Sequence, residues 1–433
     1  MIKKLKLPQF RIPKHLLDEA NKITQLFLAR IIGEQIDKSI KLIDLTIGDK
    51  TLKNCTYVPR STTKGNLQYL IDVLNDGEIR IRQILEGSEK NAEGDVYIDI
   101  TLSWKVHPLN LILFGPPGTG KTYTAIERAV EVIDYKEWRK ADNVRTEYPK
   151  KAREIIKTSF DELRKDGRIE FITFHQSYSY EEFIEGIKPI ISSTKTDADS
   201  NQIKYKIHFG VFKELAEKAK KDLDNNYVLI IDEINRGNVS QIFGELITLI
   251  EKNKRLGEDE VLELTLPYSS EAFCIPPNLY IIATMNTADK SVEALDTALR
   301  RRFYFEEISP ISTLIPEIIP IEGMPKIEIR KIFETINHRL EILKDKDHQI
   351  GHEYLMNCKI ENDVIEAFQY KIIPLLKEYF YSDYGKIALV LGDDFIEREK
   401  KQDSIKDNDS EDEYFYEIKN EIEIEWINKI TLI

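Results

Sequence analysis

The chain has 433 residues, which is longer than one typical domain and predicts two or three. Hydrophobic residues make up 42% and charged residues 32%, enough apolar material for a sizeable core beneath a well-solvated surface. The net charge of -13 excludes a general nucleic-acid-binding protein, although residues 1–60 are basic and residues 397–433 are acidic. Each of these ends is either an interaction surface or a solvated, charge-rich face.

The cysteines and the apolar runs further limit the class of protein to which the chain can belong. Cys55, Cys274 and Cys358 have no paired spacing, which indicates neither a disulfide framework nor a zinc site. The N-terminus lacks the continuous apolar stretch of a signal peptide, and no run of about 18 apolar residues occurs in the sequence. We therefore expect a cytoplasmic protein with no membrane-spanning segment.

Residues 1–100 predict a small mixed domain. Helix-like apolar spacing occurs over residues 16–32, a second helix is expected over residues 67–85, and residues 96–102 alternate as a strand does. His, Cys and carboxylate residues form no cluster at a telling spacing here. The only role that we assign to this domain is binding of a target or a partner.

Residues 107–308 predict an α/β nucleotide-binding domain with a parallel sheet flanked by helices. Short apolar segments suit parallel strands covered on both faces, and they lie at residues 109–114, 169–174, 227–231 and 279–284. A charged stretch over residues 126–165 predicts helices between the first two strands. Residues 261–266 and 273–275 predict a small hairpin.

The remaining residues predict two further parts. Residues 309–395 are expected to form a helical lid, after a connection rich in proline. Residues 396–433 are an acidic tail, in which the alternation over residues 421–426 predicts a terminal strand.

A phosphate-binding loop follows the first predicted strand of the α/β domain. Its sequence matches G-x-x-x-x-G-K-[ST], and its glycines let backbone N–H groups point inward at the start of a helix. Lys121 is expected to reach the β- and γ-phosphates, and Thr122 to bind Mg²⁺. The alternative is a structural glycine-rich turn, which the flanking strand and helix disfavour. We assign these residues to the nucleotide: Gly115, Pro116, Pro117, Gly118, Thr119, Gly120, Lys121, Thr122 and Tyr123.

Two adjacent carboxylates end the third predicted strand. Asp232 and Glu233 follow residues 227–231, at the edge where a parallel sheet binds its ligands. Asp232 is expected to hold Mg²⁺, and Glu233 to act as general base on the attacking water. The alternative is a capping role for the next helix.

Polar residues also follow the fourth predicted strand. Asn286 ends it, in a position to touch the γ-phosphate or the attacking water. Arg300, Arg301 and Arg302 then form a triple arginine, which predicts one or more fingers that reach the phosphates of a neighbouring subunit. The alternative is a solvated basic helix end that stabilises its own dipole.

Taken in order, these motifs resemble the AAA+ superfamily, and finer features resemble the McrB-like motor subunits of modified-cytosine restriction systems, in the dynein-related branch. The diagnostic stretch, Met-Asn-Thr-Ala-Asp-Lys-Ser at residues 285–291, is similar to that family's Met-Asn-Thr-Ala-Asp-Arg-Ser. Further stretches that resemble the family lie at residues 174–186, 232–238 and 350–355. The resemblance covers residues 107–392.

The resemblance implies a ring-forming GTPase, with ATP as the alternative nucleotide and Mg²⁺ as the metal ion. It implies a homo-oligomer, a hexamer in this family, and a separate McrC-like nuclease subunit for DNA restriction and phage defence. DNA would be bound through the N-terminal domain or the partner. Asn286 is then the sensor, Asp289 the acid that closes the signature loop, and Arg300 and Arg301 belong to the subunit interface.

The sequence departs from the family pattern at two places. Lys290 replaces the usual arginine and removes a planar bidentate donor. Residues 1–100 do not resemble the family's cytosine-flipping domain, so recognition of a modified base is not carried over. His175 and His352 lie in family-like motifs and are expected to be hydrogen-bonded structural residues.

Two other functions fit the same nucleotide site. A MoxR- or dynein-like protein-remodelling chaperone would share each nucleotide-site residue and contact polypeptide instead of DNA. A nucleotide-gated binding module with little turnover would not need Lys121, Glu233 and Asn286 together, and their presence disfavours it.

Overall fold

The protein is described by a computed structural model, which divides into two compact units, Met1–Pro108 and Leu109–Ile433. In the first unit the structure describes strands only, and not their side chains. From there on it describes residues 107–189, 205–289, 295–318, 327–400, 414–419 and 421–432.

The first unit is built on antiparallel strands. They are β1 (Ile2–Lys6), β2 (Phe10–Ile12), β3 (Leu42–Ile47), β4 (Lys50–Ser61), β5 (Leu67–Val73), β6 (Val96–Ile98) and β7 (Ile100–Lys105). Five of them form a sheet in the order β1-β7-β3-β4-β5, and β2 pairs with β6.

The sequence prediction for this unit is correct only in part. The strand expected over residues 96–102 is confirmed as β6 and β7 for the residues that the structure describes there. The helix expected over residues 67–85 is wrong at its start, because β5 occupies Leu67–Val73 and pairs with the long strand β4. Tyr, Ile and Val in this segment suit a strand, and pairing with β4 outweighs the helical spacing. Residues 16–32 and 74–85 lie outside the described residues.

The second unit contains the strands that position the site. They are β8 (Asn110–Gly115), β9 (Ile169–Thr173), β10 (Glu185–Pro189), β11 (Tyr205–Phe209), β12 (Tyr227–Asp232), β13 (Leu264–Thr265), β14 (Ala272–Phe273), β15 (Leu279–Asn286), β16 (Tyr304–Glu307), β17 (Ile396–Lys400) and β18 (Tyr414–Ile418). A parallel sheet has the order β16-β8-β15-β12-β9. The other strands form the antiparallel pairs β10–β11, β13–β14 and β17–β18.

Helices cover this sheet and form the lid. They are α1 (Lys121–Ile133), α2 (Tyr135–Val144), α3 (Pro149–Lys165), α4 (Tyr180–Phe183), α5 (Val211–Lys221), α6 (Val239–Phe243), α7 (Thr297–Arg300), α8 (Ile329–Leu343), α9 (Glu361–Ala367), α10 (Ile373–Tyr379), α11 (Tyr384–Leu391) and α12 (Ile424–Lys429). None of the helices described is both long and apolar enough to cross a membrane.

The parallel strands are buried on both faces, as their continuous apolar runs predict. Leu111, Leu113, Val228 and Ile230 pack with α1 and α3 on one side of the sheet. Alternate residues of the same strands, such as Ile112, pack into a second cluster on the other side. The predicted α/β fold with flanking helices and a C-terminal helical lid is confirmed.

The order of the strands brings the predicted site residues to one edge of the sheet. Strand β8 lies between β15 and β16, and β12 lies on the other side of β15. All of these strands are parallel, so the phosphate-binding loop after β8, the acid pair at the end of β12 and Asn286 at the end of β15 meet at their carboxyl ends.

A buried polar network holds the opposite edge of the sheet. The Arg255 side chain is fully buried and donates to the carbonyl oxygens of Ile250 and Leu279 and to Asn110 Oδ1, the last at 2.8 Å. Asn110 Nδ2 donates in turn to the Ile250 oxygen at 2.8 Å and to the Arg302 oxygen at 3.0 Å. The network therefore ties the starts of β8 and β15 to the turn that follows α7.

The lid has a hydrophobic core of its own, to which the C-terminal segment contributes. The terminal strand expected over residues 421–426 is wrong, since Ile424–Lys429 forms α12. Ile427 and Ile430 are fully buried in the lid core at helical spacing, and Trp426 meets the Phe395 ring edge-on at 6.0 Å. Burial on one face of a helix thus outweighs the alternating pattern. Within the described residues of this region, β17 and β18 form an antiparallel pair.

Candidate nucleotide site

The loop between β8 and α1 has the backbone of a phosphate cradle. Gly118 and Gly120 have φ of 73° and 78°, a left-handed conformation that side chains rarely adopt. Thr119 is buried, and its hydroxyl donates to the Pro116 oxygen at 2.9 Å, which closes the turn. Helix α1 begins at Lys121, so its first N–H groups face the loop. Backbone donors and a helix N-terminus are the groups that bind phosphate.

Lys121 is buried at the centre of this loop. Its Nζ donates to the carbonyl oxygens of Gly115 and Pro116, at 3.1 and 2.7 Å. Burial lowers the pKa of Lys121 to about 8, although the negative charges of Glu233, Asp289 and Asp232 oppose the shift. An ammonium that loses hydration in this way is stabilised by a nearby anion, which fits a bound phosphate.

A hydroxyl and a carboxylate meet at the start of α1. The Thr122 hydroxyl donates to Asp232 Oδ1 at 2.8 Å, and the Thr284 hydroxyl donates to the same oxygen at 2.6 Å. The structure thus brings together the two residues predicted to hold the metal ion. Hydroxyl and carboxylate oxygens are ligands that Mg²⁺ prefers, so the donor set fits it.

Glu233 is held between two strand ends. Its N–H donates to the Thr284 hydroxyl at 3.1 Å, and its Oε1 accepts from Asn286 Nδ2 at 2.6 Å. Its Oε2 is buried and makes no hydrogen bond within the described part of the chain. Burial raises the pKa of Glu233, and the nearby charges of Asp232 and Asp289 add to the rise, while Arg236 opposes it. A raised pKa brings a carboxylate closer to that of an effective general base.

Arg236 joins the acid pair to the signature loop. Its Nε lies 3.3 Å from Glu233 Oε2, and its Nη2 lies 3.2 Å from Asp289 Oδ2. Asp289, predicted to belong to the site, therefore reaches Glu233 through this arginine. The motifs in the sequence predict no role for Arg236, although it lies only three residues after Glu233. Lys290 lies outside the described residues.

The three arginines at the end of α7 have different surroundings. Arg302 is largely buried, with 6% of its side chain exposed, and it donates to the Ala298 oxygen and pairs with Glu251, each at 2.7 Å. The Arg301 side chain is 67% exposed, and Arg300 is exposed with its guanidinium 5.7 Å from the Phe305 ring centre. Arg302 thus holds the turn, while Arg300 and Arg301 face solvent.

The lid contacts the phosphate-binding loop directly. The N–H groups of Gly351 and Glu353 donate to the oxygens of Pro117 and Gly118, both at 3.0 Å. A Cβ on Gly118 would lie 2.7 Å from the Tyr354 ring. Residues 350–355 resemble the family in sequence, but no spacing along the chain indicates that they contact the phosphate-binding loop.

Three further side chains, one aromatic and two imidazole, have definite places. Tyr123 is partly exposed, with the Arg153 guanidinium 3.9 Å above its ring, so it lies at the rim of the loop. His175 is exposed and meets the Tyr178 ring edge-on at 5.7 Å. His352 is buried beneath the lid contact and accepts a hydrogen bond from the Ile311 N–H at 3.2 Å.

The fold and the site define an AAA+ protein. Residues 152–303 match the AAA domain of the dynein-related subfamily, and residues 328–388 match the McrB alpha-helical lid domain.

Two curated relatives carry the comparison further. The Type IV methyl-directed restriction enzyme EcoKMcrB subunit of Escherichia coli K12 is 34% identical over 291 residues, which are 63% of this chain and 54% of that protein. The Type II restriction enzyme BsuMI component YdiS of Bacillus subtilis 168 is 29% identical over 327 residues, 68% of this chain and 86% of that protein. The AAA domain and the lid of this chain are thus similar to those of McrB-like AAA+ proteins. The chain spans about half the length of the first of these relatives.

Proposed function

We propose that the chain is a nucleoside-triphosphate hydrolase that forms a ring and drives DNA restriction together with a separate nuclease subunit. The observation that carries the hydrolase is the meeting of Lys121, the Thr122–Asp232 pair and the Glu233–Asn286 pair at one sheet edge. Restriction is supported by the two relatives, each of which is named as part of a restriction enzyme.

Each residue of the site has a distinct task in this proposal. Lys121 and the loop N–H groups bind the phosphates, and Thr122 and Asp232 hold Mg²⁺, which when bound neutralises phosphate charge. Glu233 takes the proton of the attacking water through Oε2, which makes no hydrogen bond within the described residues and lies 3.3 Å from Arg236 Nε. Asn286 holds the other oxygen of Glu233 and so fixes the direction of the carboxylate.

The finer parts of the proposal rest on resemblance. We propose GTP over ATP and a hexameric ring because the family motifs imply them. We assign target or partner binding to residues 1–100 and the nuclease to a separate McrC-like chain. Arg300 and Arg301 are proposed to act across the subunit boundary, which their exposure permits.

Hydrolysis assays test the proposal. Release of phosphate from GTP and from ATP is measured with the full chain alone, with DNA, and with the product of a neighbouring nuclease gene. We expect faster turnover of GTP, stimulated by the nuclease subunit. Faster turnover of ATP would contradict the nucleotide preference. Stimulation by an unfolded polypeptide instead of DNA and nuclease would favour the remodelling chaperone.

A further inference from the structure

A short lid segment, residues 350–354, lies directly on the phosphate-binding loop. Two of its backbone N–H groups, those of Gly351 and Glu353, donate to loop carbonyls. A Cβ on Gly351 would lie 1.9 Å from the Gly118 carbonyl carbon, so the two backbones touch and no side chain fits between them. The residue between these two donors, His352, is therefore fixed against the loop by its neighbours on both sides.

The hydrogen bonding of His352 defines which ring nitrogen carries the proton. Nδ1 accepts from the Ile311 N–H at 3.2 Å, in the connection between β16 and the lid. An acceptor at Nδ1 places the proton of a neutral imidazole on Nε2. Burial lowers the pKa of His352, and this favours the neutral ring, although Glu353 opposes the shift. Nε2 is thus an N–H donor.

The Nε2 atom lies close to Gly120, the last residue of the loop before α1. A Cβ built on Gly120 would have His352 Nε2 as its nearest neighbour, at 3.8 Å. Gly120 immediately precedes α1, where a phosphate-binding loop turns its N–H groups toward the phosphates. The Nε2–H therefore lies at the edge of the phosphate cradle, on the side that the lid covers.

The arginines of the lid are engaged elsewhere. Arg330 Nε donates to the Ile315 oxygen at 2.7 Å. Arg339 donates to the oxygens of Val390 and Ile430, at 2.7 and 2.9 Å. These guanidinium groups stabilise the lid itself, so neither of these two arginines is the donor beside the loop.

We infer that His352 contacts the bound nucleotide, through a hydrogen bond from its Nε2–H to an oxygen of the polyphosphate. The inference rests on the proposed nucleotide site. It adds a residue of the lid to that site, so that the lid makes one more contact when nucleotide is bound in the loop. Because the contact is to phosphate, it does not distinguish guanine from adenine.

A pair of substitutions separates the two nitrogens of the ring. His352→Gln keeps a donor at the position of Nε2, whereas His352→Asn keeps a polar group at the position of Nδ1 and leaves Nε2 without a substitute. Affinities for fluorescent mant-GTP and mant-ATP are measured with the full chain. We expect the Asn variant to bind both analogues roughly tenfold more weakly, since a hydrogen bond to a charged group contributes on this order. The Gln variant should stay within a few-fold of the wild type.

His348 provides a matched control. It is also a buried lid histidine, but its Nδ1 is 2.5 Å from Asp345 Oδ1 and its ring packs against Tyr379. His348→Asn should leave both affinities unchanged. The thermal unfolding midpoint of each variant without nucleotide shows whether the lid remains folded.

Several outcomes would overturn the inference. Wild-type affinity in the Asn variant would do so, and so would a loss in the Gln variant alone, which would place the effect at Ile311. Equal losses in the two variants would locate the effect in the ring and not in the Nε2 donor. A loss for only one of the two nucleotides would point to the base. Failure of the wild-type protein itself to bind either analogue would instead count against the proposed function.

Discussion

Glu233 has a backbone conformation that non-glycine residues seldom adopt. Its φ and ψ are 55° and 47°, in the left-handed region. Such a residue costs about 1–3 kcal/mol, and the hydrogen bonds to Thr284 and Asn286 hold it in place. Strain of this kind concentrates at functional sites, and here the Glu233 carboxylate accepts from Asn286 while the Asp232 carboxylate accepts from the hydroxyl groups of Thr122 and Thr284.

Glu233→Gln therefore tests the residue on which the hydrolase proposal depends. The amide keeps the size of the side chain and the loop remains intact, so nucleotide affinity should stay near that of the wild type. Turnover should fall by about 10²–10⁴-fold, because general-base catalysis contributes on this order. Both quantities are measured on the same preparation, and turnover within a few-fold of the wild type would contradict the assignment.

At the scale of elements, a buried ion pair joins the hairpin β10–β11 to helix α5 and to the β13–β14 hairpin. Lys213 Nζ lies 2.8 Å from Glu185 Oε2 and 2.6 Å from Glu271 Oε2, with the Lys213 and Glu185 side chains almost fully buried. Glu185 Oε1 also accepts from the N–H groups of Tyr268 and Ser269, at 3.0 and 2.9 Å. One carboxylate thus connects three elements.

Lys213→Met should destabilise this arrangement by about 3–5 kcal/mol, because it leaves a buried carboxylate without its cation. The double variant Lys213→Met/Glu185→Gln should recover much of the loss, since the amide oxygen still accepts from the two N–H groups. Urea unfolding of the single and double variants measures the difference. Equal destabilisation of both would show that the charge of Glu185 is not the cause.

The pH dependence of this pair has a definite sign. Burial would raise the pKa of Glu185, but hydrogen bonds from Lys213 and Ser269 outweigh it, and the pKa is lowered from 4.5. A lowered folded-state pKa stabilises the protein above the ordinary glutamate value, and this contribution is lost as the pH falls below it. The free energy of unfolding of the wild type should therefore fall as the pH is lowered below the ordinary glutamate pKa. The double variant lacks the Glu185 carboxylate, so its free energy of unfolding should not show this contribution.

The contact between lid and phosphate-binding loop gives another prediction at this scale. Gly351→Ala should displace the lid and reduce nucleotide affinity and turnover together, because its methyl group would overlap the Gly118 backbone. Gly385→Ala is the control, since the nearest atom to a Cβ there is 3.4 Å away and alanine favours its helix. Retention of full affinity in the Gly351 variant would show that the contact does not support the site.

The local sequence pattern predicted correctly those elements in which the apolar residues of the pattern are the buried ones. The strands β8, β12 and β15 have short, continuous apolar runs. A run of this kind fits few structures other than a parallel strand covered by helices on both faces. The segments that failed, β5 and α12, have patterns that two structures can satisfy. Pairing with β4 decides the first, and burial in the lid core decides the second.

The site was predictable to the extent that its residues follow strands. Lys121, Asp232, Glu233 and Asn286 each belong to a motif, and parallel strands bring the ends of motifs together. Arg236 was visible in the sequence, but its bridge between Glu233 and Asp289 depends on distances in space. The lid residues lie more than 200 positions from the loop in the sequence, so a single sequence does not indicate their contact.

For the whole molecule, the exposed arginines test whether the protein works as a ring. Arg300→Ala and Arg301→Ala should leave nucleotide binding by one chain unchanged and reduce assembly-dependent hydrolysis by about 10³–10⁵-fold for a trans-acting finger. Mixing the defective variant with Glu233→Gln chains should recover part of the activity, since some interfaces then combine an intact site with an intact arginine. Phosphate release is measured across mixing ratios.

Arg164 is a matched control for Arg300. It is an exposed arginine in the last turn of α3, and its guanidinium lies 5.8 Å from the Phe160 ring centre. Arg164→Ala should change hydrolysis little. Similar effects of all three alanine variants, or no recovery in the mixtures, would count against action between subunits.

The polar network at the far edge of the sheet has a mechanical consequence for such an assembly. Asn110 Nδ2 donates to the Arg302 carbonyl oxygen, and Glu251 forms an ion pair with the Arg302 side chain. These contacts fix the backbone next to the two exposed arginines. Burial lowers the pKa of Arg255 to about 10, so the guanidinium remains charged at neutral pH, and it donates to Asn110 Oδ1. Because this backbone is fixed, the Arg300 and Arg301 guanidinium groups can move only as far as rotation of their own side chains allows. The reach of the arginines is thereby limited by their own length, and any change in distance between two neighbouring chains would switch the contact on or off.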